Sequence, residues 1–267
     1  MLAAYDFPTA RLLEGAGADV ILVGDSLGMV FQGRSTTIPV TVDEIVYHTK
    51  AVRRGAPSTH ITSDLPFLSY QQSDAQALAN AARLLQEGGA DSVKLEGGIL
   101  VKARIRALVT AGIPVVGHVG LGPQSVGTTG GFRVQGRDLA SAKRVIEDAK
   151  AVAEAGAFAV VIELVPAELA AIVSEQIAIP TIGIGAGAGC DGQVLVAADV
   201  IGLDDRYAFK FVRRYAEVGK AMSTAFASFA EDVRSGSYPA DNESHRLKPE
   251  VAAALRESFP RSGVGSV

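Results

Sequence analysis

The chain has a single cysteine, Cys190, among 267 residues, so no internal disulfide can form. That fits a reducing compartment and leads us to expect a cytoplasmic protein. It also has only four histidines, none paired at a metal-ligand spacing. With one thiol as well, a zinc centre is a poor candidate. No block of basic residues stands out and the net charge is −4, which argues against a nucleic-acid partner. No apolar run reaches the roughly 18 residues of a membrane span, because Asp, Glu, Lys or Gly interrupts each one. The first residues already read as a strand, so no charged leader or signal peptide is expected. What the chain has in quantity is apolar side chains, 48% against 20% charged, enough for a large core. The length suits one barrel domain.

Short β-branched runs alternate with Ala-rich amphipathic segments. The pattern predicts strands at 2–5, 19–24, 60–64, 92–95, 114–118, 159–163, 181–184 and 194–200. Between most of them lie helical patterns such as 75–86 and 142–154, with apolar residues at i, i+3 and i+4. Strands alternating with helices imply parallel pairing and right-handed crossovers. A degenerate repeat agrees: Glu-Gly-Ala-Gly-Ala-Asp-Val (14–20), Glu-Gly-Gly-Ala-Asp-Ser-Val (87–93) and Glu-Ala-Gly-Ala-Phe-Ala-Val (154–160) each read as helix end, glycine cap and buried strand. The fold expected is a single-domain α/β protein, a (β/α)8 TIM barrel over 1–235, with a doubly wound open sheet as the alternative. Residues 236–267 read as a partly disordered tail, with a short helix at 249–257 and a frayed end. A long helix is expected from Tyr207 to about Arg234.

Chemistry concentrates at the strand ends. Asp25, Asp64, Glu96 (with Lys94 two residues earlier), His118 and Glu163 close five consecutive strands. In a closed barrel those ends share one mouth. Crowded carboxylates repel unless something neutralises them, and a hard divalent cation, Mg²⁺, suits an oxygen-only set. Asp25 and Asp64 are the leading ligand candidates, and Glu96 is a third ligand or one acting through water. A helix cap or surface charge is the bland reading of any one of them. Glu163, farther round the barrel, is the candidate general base. Lys94 can neutralise a bound anion. His118 can hydrogen-bond a substrate oxygen, or simply hold a loop. His48 and His60 read as structural. Gly-Ala-Gly-Cys-Asp-Gly (187–192) matches G-x-G-x-x-G formally, but it lies late in the chain and outside a first βα unit; a phosphate cradle is the other use of a loop there.

Linked motifs carry a resemblance. Val-Gly-Asp-Ser-Leu-Gly-Met (23–29), Ser-Asp-Leu-Pro-Phe (63–67), Val-Lys-Leu-Glu-Gly-Gly (93–98), Gly-His-Val-Gly-Leu-Gly-Pro-Gln-Ser-Val (117–126), Gly-Gly-Phe-Arg-Val-Gln-Gly-Arg (130–137), Ile-Gly-Ile-Gly-Ala-Gly (182–187) and Cys-Asp-Gly-Gln-Val-Leu-Val (190–196) together resemble the ketopantoate hydroxymethyltransferase family over about residues 3–240. The resemblance implies transfer of a one-carbon unit from 5,10-methylenetetrahydrofolate to the 2-keto acid 3-methyl-2-oxobutanoate, giving 2-dehydropantoate in pantothenate biosynthesis. It implies Mg²⁺ on Asp25 and Asp64 with Glu96 completing or supporting the site. Keto-acid contacts fall on Ser26, Asp64 and Lys94, beside Asp25. Glu163 takes the proton acceptor's place, and His118 that of an active-site histidine. It also implies a homo-oligomer, a decamer in the family.

Three features depart from the family pattern. The chain starts almost within its first strand, Gly127 stands where the family usually has Asn, and 241–246 only loosely resemble the family's ending. Two rivals remain: an enolate-forming lyase or mutase barrel, whose Lys-Lys-Cys-Gly-His-type motif is absent, and a non-catalytic barrel used as a binding module.

Overall fold

The structure is a computed structural model describing residues 1–125, 127, 131, 133–206 and 209–260. The frayed end expected at 262–267, the start of the helix expected at Tyr207 and parts of the 117–126 and 130–137 motifs lie outside the described residues. The chain forms two compact units, Met1–Glu217 and Val218–Val267.

In the first unit seven strands follow one another around a ring: β1 (Leu2–Ala3), β2 (Val20–Val23), β3 (His60–Asp64), β4 (Ser92–Glu96), β5 (Val115–Gly120), β6 (Ala159–Glu163) and β7 (Thr181–Ile184). Each pairs in parallel with the next. The eighth position is filled by two short pieces, β8 (Gly192–Gln193) on β7 and β9 (Leu195–Val196) on β1. Only Val194 separates them, and its N–H donates to the Gly183 carbonyl. One interrupted strand therefore closes the ring, and the (β/α)8 barrel expected from the sequence is the fold. The alternative open sheet is excluded, since an open sheet leaves its first and last strands unpaired.

The expected strand at 194–200 is displaced. Pairing begins two residues earlier, and Ala197–Val200 turns into a short helix. The apolar run looks like strand throughout, but β1 offers only two residues to pair with, so the ladder ends at Val196.

Alternation sorts each strand into two faces. Ile61, Val93, Leu95, Val115, Val160 and Ile162 are fully buried between sheet and helices. The helices present small residues to them: Ala77 and Ala81 from Asp74–Arg83, Ala149 and Val152 from Leu139–Ala155. The repeat behaves as read, with Gly89 and Gly156 in the left-handed conformation just past their helices. The helix expected at 75–86 does end in a π-turn, Leu84–Gly88, before that cap. Low in the barrel, His60, Thr62 and Ser92 join through side-chain hydrogen bonds of 2.9 Å. His48 is also structural, its Nδ1 lying 2.7 Å from the Tyr5 carbonyl.

The second unit opens with the helix Val218–Ser235 and holds a shorter one, Pro249–Ser258. The long helix expected from Tyr207 thus begins only at Val218. Before it, Phe209 and Phe211 turn toward the barrel mouth, a placement that a continuous helix does not provide. Among the described residues no helix is long and apolar enough to cross a membrane.

Candidate active site

Strand register gathers the predicted groups. Asp64 of β3 pairs with Lys94 of β4, Glu96 with His118 of β5, and Gly120 with Glu163 of β6. In parallel strands, partners in register point to the same face, so these side chains rise together into the barrel mouth. All of them line one cavity of about 160 Å³, together with Asp25 and Ser26 from the turn after β2. Asp25, Asp64, Lys94, Glu96 and His118 are each less than 7% exposed. Every site residue predicted from the sequence is therefore in the same pocket.

Lys94 Nζ lies 2.5 Å from Asp64 Oδ1. The contact is an ion pair, both groups being buried. Asp64 Oδ2 accepts the backbone N–H of Asp25 at 3.0 Å, which locks the β2 turn onto β3. That approach requires Gly24: a Cβ there would sit 2.8 Å from Ser26 Oγ and 3.2 Å from Asp64 Oδ2. Ser26 Oγ is held at 2.8 Å by the buried Tyr5 hydroxyl.

The charges are not balanced within the protein. Burial, then repulsion from Asp64, pushes Asp25 up to about 7 despite the pull of Lys94 and Gln124. Burial and the negative charge of Asp25 likewise raise Glu96 well above the usual carboxylate range. Burial alone would lower Lys94, but Asp64, Glu96 and Asp25 outweigh it and hold the ammonium charged.

The His118 ring lies between two carboxylates, with Nε2 3.1 Å from Glu163 Oε2 and Nδ1 3.7 Å from Glu96 Oε1. Neither nitrogen makes a hydrogen bond of acceptable geometry, although both are buried. Buried polar atoms are nearly always satisfied, so two aimed into a cavity point to a ligand that completes them.

Sequence reasoning missed the scaffold behind these groups. Gln124 donates through Nε2 to Asp25 Oδ2 at 2.8 Å and to the Leu65 carbonyl at 3.0 Å. Its own N–H donates to Glu96 Oε2 at 3.1 Å. The Tyr70 hydroxyl lies 2.9 Å from Gln124 Oε1 and 3.0 Å from the Glu96 carbonyl. Gln124 was visible as part of the Gly-Pro-Gln-Ser motif; Tyr5 and Tyr70 carried no local signal. Also unforeseen were Asp199, Phe209 and Phe211 at the cavity wall. Among the described residues a Cβ at Gly127 would meet nothing within 4 Å.

Leu164, directly after Glu163, has φ +47°, rare for a branched side chain. Its N–H donates to the Ile184 carbonyl and its carbonyl accepts from Gln135, which fixes the twist. The twist breaks strand alternation, and both Glu163 and Leu164 line the cavity.

Among the described residues no three His, Cys, Asp or Glu side chains form a ready-made metal cage. Mg²⁺ does not need one; it usually takes one or two carboxylates and keeps its remaining positions for water and substrate. Asp25 and Asp64, oxygen donors whose mutual repulsion a cation would relieve, fit that requirement.

A parallel barrel with a buried ammonium, opposed carboxylates and a histidine at its C-terminal mouth is the framework of an acid–base enzyme. Residues 1–241 match the family model for ketopantoate hydroxymethyltransferase. The chain belongs to that family, a family of transferases. It is 52% identical over 251 residues to the 3-methyl-2-oxobutanoate hydroxymethyltransferase of Carboxydothermus hydrogenoformans, covering 94% of this chain and 91% of that one. To the enzyme of the same name from Moorella thermoacetica it is 53% identical over 248 residues, 93% and 91% of the two chains. Among solved structures it is similar to a phosphoenolpyruvate phosphomutase from Streptomyces platensis subsp. rosaceus, with TM-score 0.59, 16% identity and 97% and 94% coverage. A 2,3-dimethylmalate lyase gives 0.56 at 18% identity, with 96% and 89% coverage. At that identity the likeness concerns the fold alone.

Proposed function

We propose that this chain transfers a hydroxymethyl group from 5,10-methylenetetrahydrofolate to 3-methyl-2-oxobutanoate, giving 2-dehydropantoate for pantothenate biosynthesis. The observation that carries the reading is the placement of Glu163 in one cavity with Lys94, Asp25 and Asp64. Such a cavity suits a small keto acid whose carboxylate meets a cation and whose C3 meets a base.

Lys94 stays charged and offers its ammonium to the substrate, with Ser26, held by Tyr5, beside it. Asp25 and Asp64 are the residues that would hold Mg²⁺, with Glu96 supporting from the Gln124 side. When bound, the cation supplies a Lewis acid for the ketone oxygen, which acidifies the adjacent C–H. Glu163 takes the C3 proton on its carboxylate, and the His118 ring, 3.1 Å from it, is placed to hydrogen-bond a substrate oxygen. Water adds to the folate-borne methylene as its two C–N bonds break, which frees tetrahydrofolate and leaves the one-carbon unit at the level of formaldehyde. The electron pair on C3 attacks that carbon, and the resulting oxygen takes back the proton held by Glu163. No protein nucleophile is required. The same reading carries a cytoplasmic location and a homo-oligomer, decameric as in the family.

Deuterium exchange at C3 of 3-methyl-2-oxobutanoate, with Mg²⁺ and without folate, tests the proton-removal half. Wild-type protein should exchange, and Glu163→Gln should exchange roughly 10²–10⁴-fold more slowly while still binding metal. Exchange undiminished in Glu163→Gln would remove Glu163 from its role. No exchange in metal-loaded wild type would discard the mechanism and favour the binding-module alternative.

A further inference from the structure

The keto-acid chemistry proposed above uses only the polar part of the cavity, and the rest of its wall has a different character. Phe209 and Phe211 line the same cavity with their rings stacked, centroids 5.5 Å apart and planes 19° from parallel. A turn fixes them, with the Val212 N–H donating to the Phe209 carbonyl at 3.1 Å. Phe211 also lies against Gly185, where a Cβ would approach its ring to 3.1 Å. Asp199 lines that cavity too, in the short helix Ala197–Val200 that follows the interrupted eighth strand, half-buried. Nothing in the keto-acid chemistry uses an aromatic face or this second carboxylate.

We propose that Phe209, Phe211 and Asp199 form the subsite for the pterin ring of the one-carbon donor. The inference rests on the folate reading above. A 2-amino-4-oxopterin has a flat π-face and one edge with two adjacent N–H donors. Phenyl rings recognise the face by stacking. A carboxylate recognises the edge by accepting two parallel hydrogen bonds, the geometry it also uses with guanidinium. Cations beside the subsite suit the rest of the donor. Arg206 is paired with Asp204 and Arg214 donates to the Asp204 carbonyl, so Lys210 and Arg213 are the two put forward for the donor's carboxylates. Lys210 and Arg213 are exposed, as contacts to the donor's glutamate carboxylates require.

The test compares two reactions of the same full-length, Mg²⁺-loaded protein: complete turnover, and C3 proton exchange without folate, in which the pterin takes no part. Phe209→Ala and Asp199→Asn should each raise KM for 5,10-methylenetetrahydrofolate at least tenfold while exchange and KM for the keto acid stay within about twofold. Phe209→Trp, which keeps a π-face, should restore the folate KM. Lys210→Glu with Arg213→Glu should raise it severalfold, with the effect shrinking at high salt. An unchanged folate KM in Phe209→Ala and Asp199→Asn overturns the subsite. So does a parallel loss of exchange, which makes the segment a structural wall. Absence of exchange in the wild type instead overturns the underlying function, so the two failures are distinct.

Discussion

Gln124→Met tests whether the carboxylates are held as a unit. The substitution keeps length and volume but deletes three buried side-chain hydrogen bonds, to Asp25, to the Leu65 carbonyl and from Tyr70. The bond to charged Asp25 is worth about 1.5–3 kcal/mol and the neutral pair about 0.5–1.5 kcal/mol each. Because the three share one side chain they will not add fully, and about 3 kcal/mol is the expected loss. For a unit of this size that lowers Tm by roughly 6–12 °C. The functional effect has its own sign. Gln124 is one of the groups pulling Asp25 down, so its removal raises Asp25 further above its present value of about 7. A loss of about 1.4 kcal/mol corresponds to about one pH unit. At pH 7 the ionised fraction then falls about fivefold, and the Mg²⁺ concentration for half-maximal exchange rises by that factor. The acid limb of the exchange pH profile should move up by about one unit. Tyr70→Phe separates the two effects: it removes neutral bonds only, so it should lower Tm and leave the acid limb in place. The reasoning fails if Gln124→Met melts within about 2 °C of wild type and its pH profile superimposes.

Lys94→Met should destabilise the protein by about 3–5 kcal/mol, since it leaves Asp64 buried without its cation. Excess Mg²⁺ should recover much of that loss in thermal unfolding, while KM for the keto acid stays raised. Metal removal should depend on pH. Asp25 is raised above the ordinary carboxylate value, so its contribution to stability is full below that value and lost as pH rises through about 7. Chelated protein should therefore unfold at lower temperature at pH 8 than at pH 5. Added Mg²⁺ should raise Tm more at pH 8, and an equal rise at both pH values would contradict an ionised Asp25 as ligand.

The barrel and the ring of strand-end groups were legible because both are written locally. A buried parallel strand shows as a short run with β-branched or apolar residues on its helix-facing side, and an ionisable residue closes it at the mouth, as with Asp64, Glu96 and Glu163. What was illegible depends on partners far along the chain. The eighth strand stops at Val196 because β1, almost 200 residues earlier, is short. Tyr5 and Tyr70 read as ordinary core aromatics, and their hydroxyls matter only once Ser26 and Gln124 arrive from other strands. Phe209 and Phe211 fitted a helical pattern, and only the cavity beside them gives those rings another place to go.

The left-handed residue after Glu163 has a consequence for how the pocket can be reshaped. Because the backbone kinks there, the Glu163 carboxylate and an aliphatic side chain arrive at the cavity from adjacent positions. Changing the size of residue 164 alters the room in that cavity while Glu163 keeps its place at the end of β6. The volume of the pocket can therefore be adjusted by a single local exchange that leaves the neighbouring carboxylate in position.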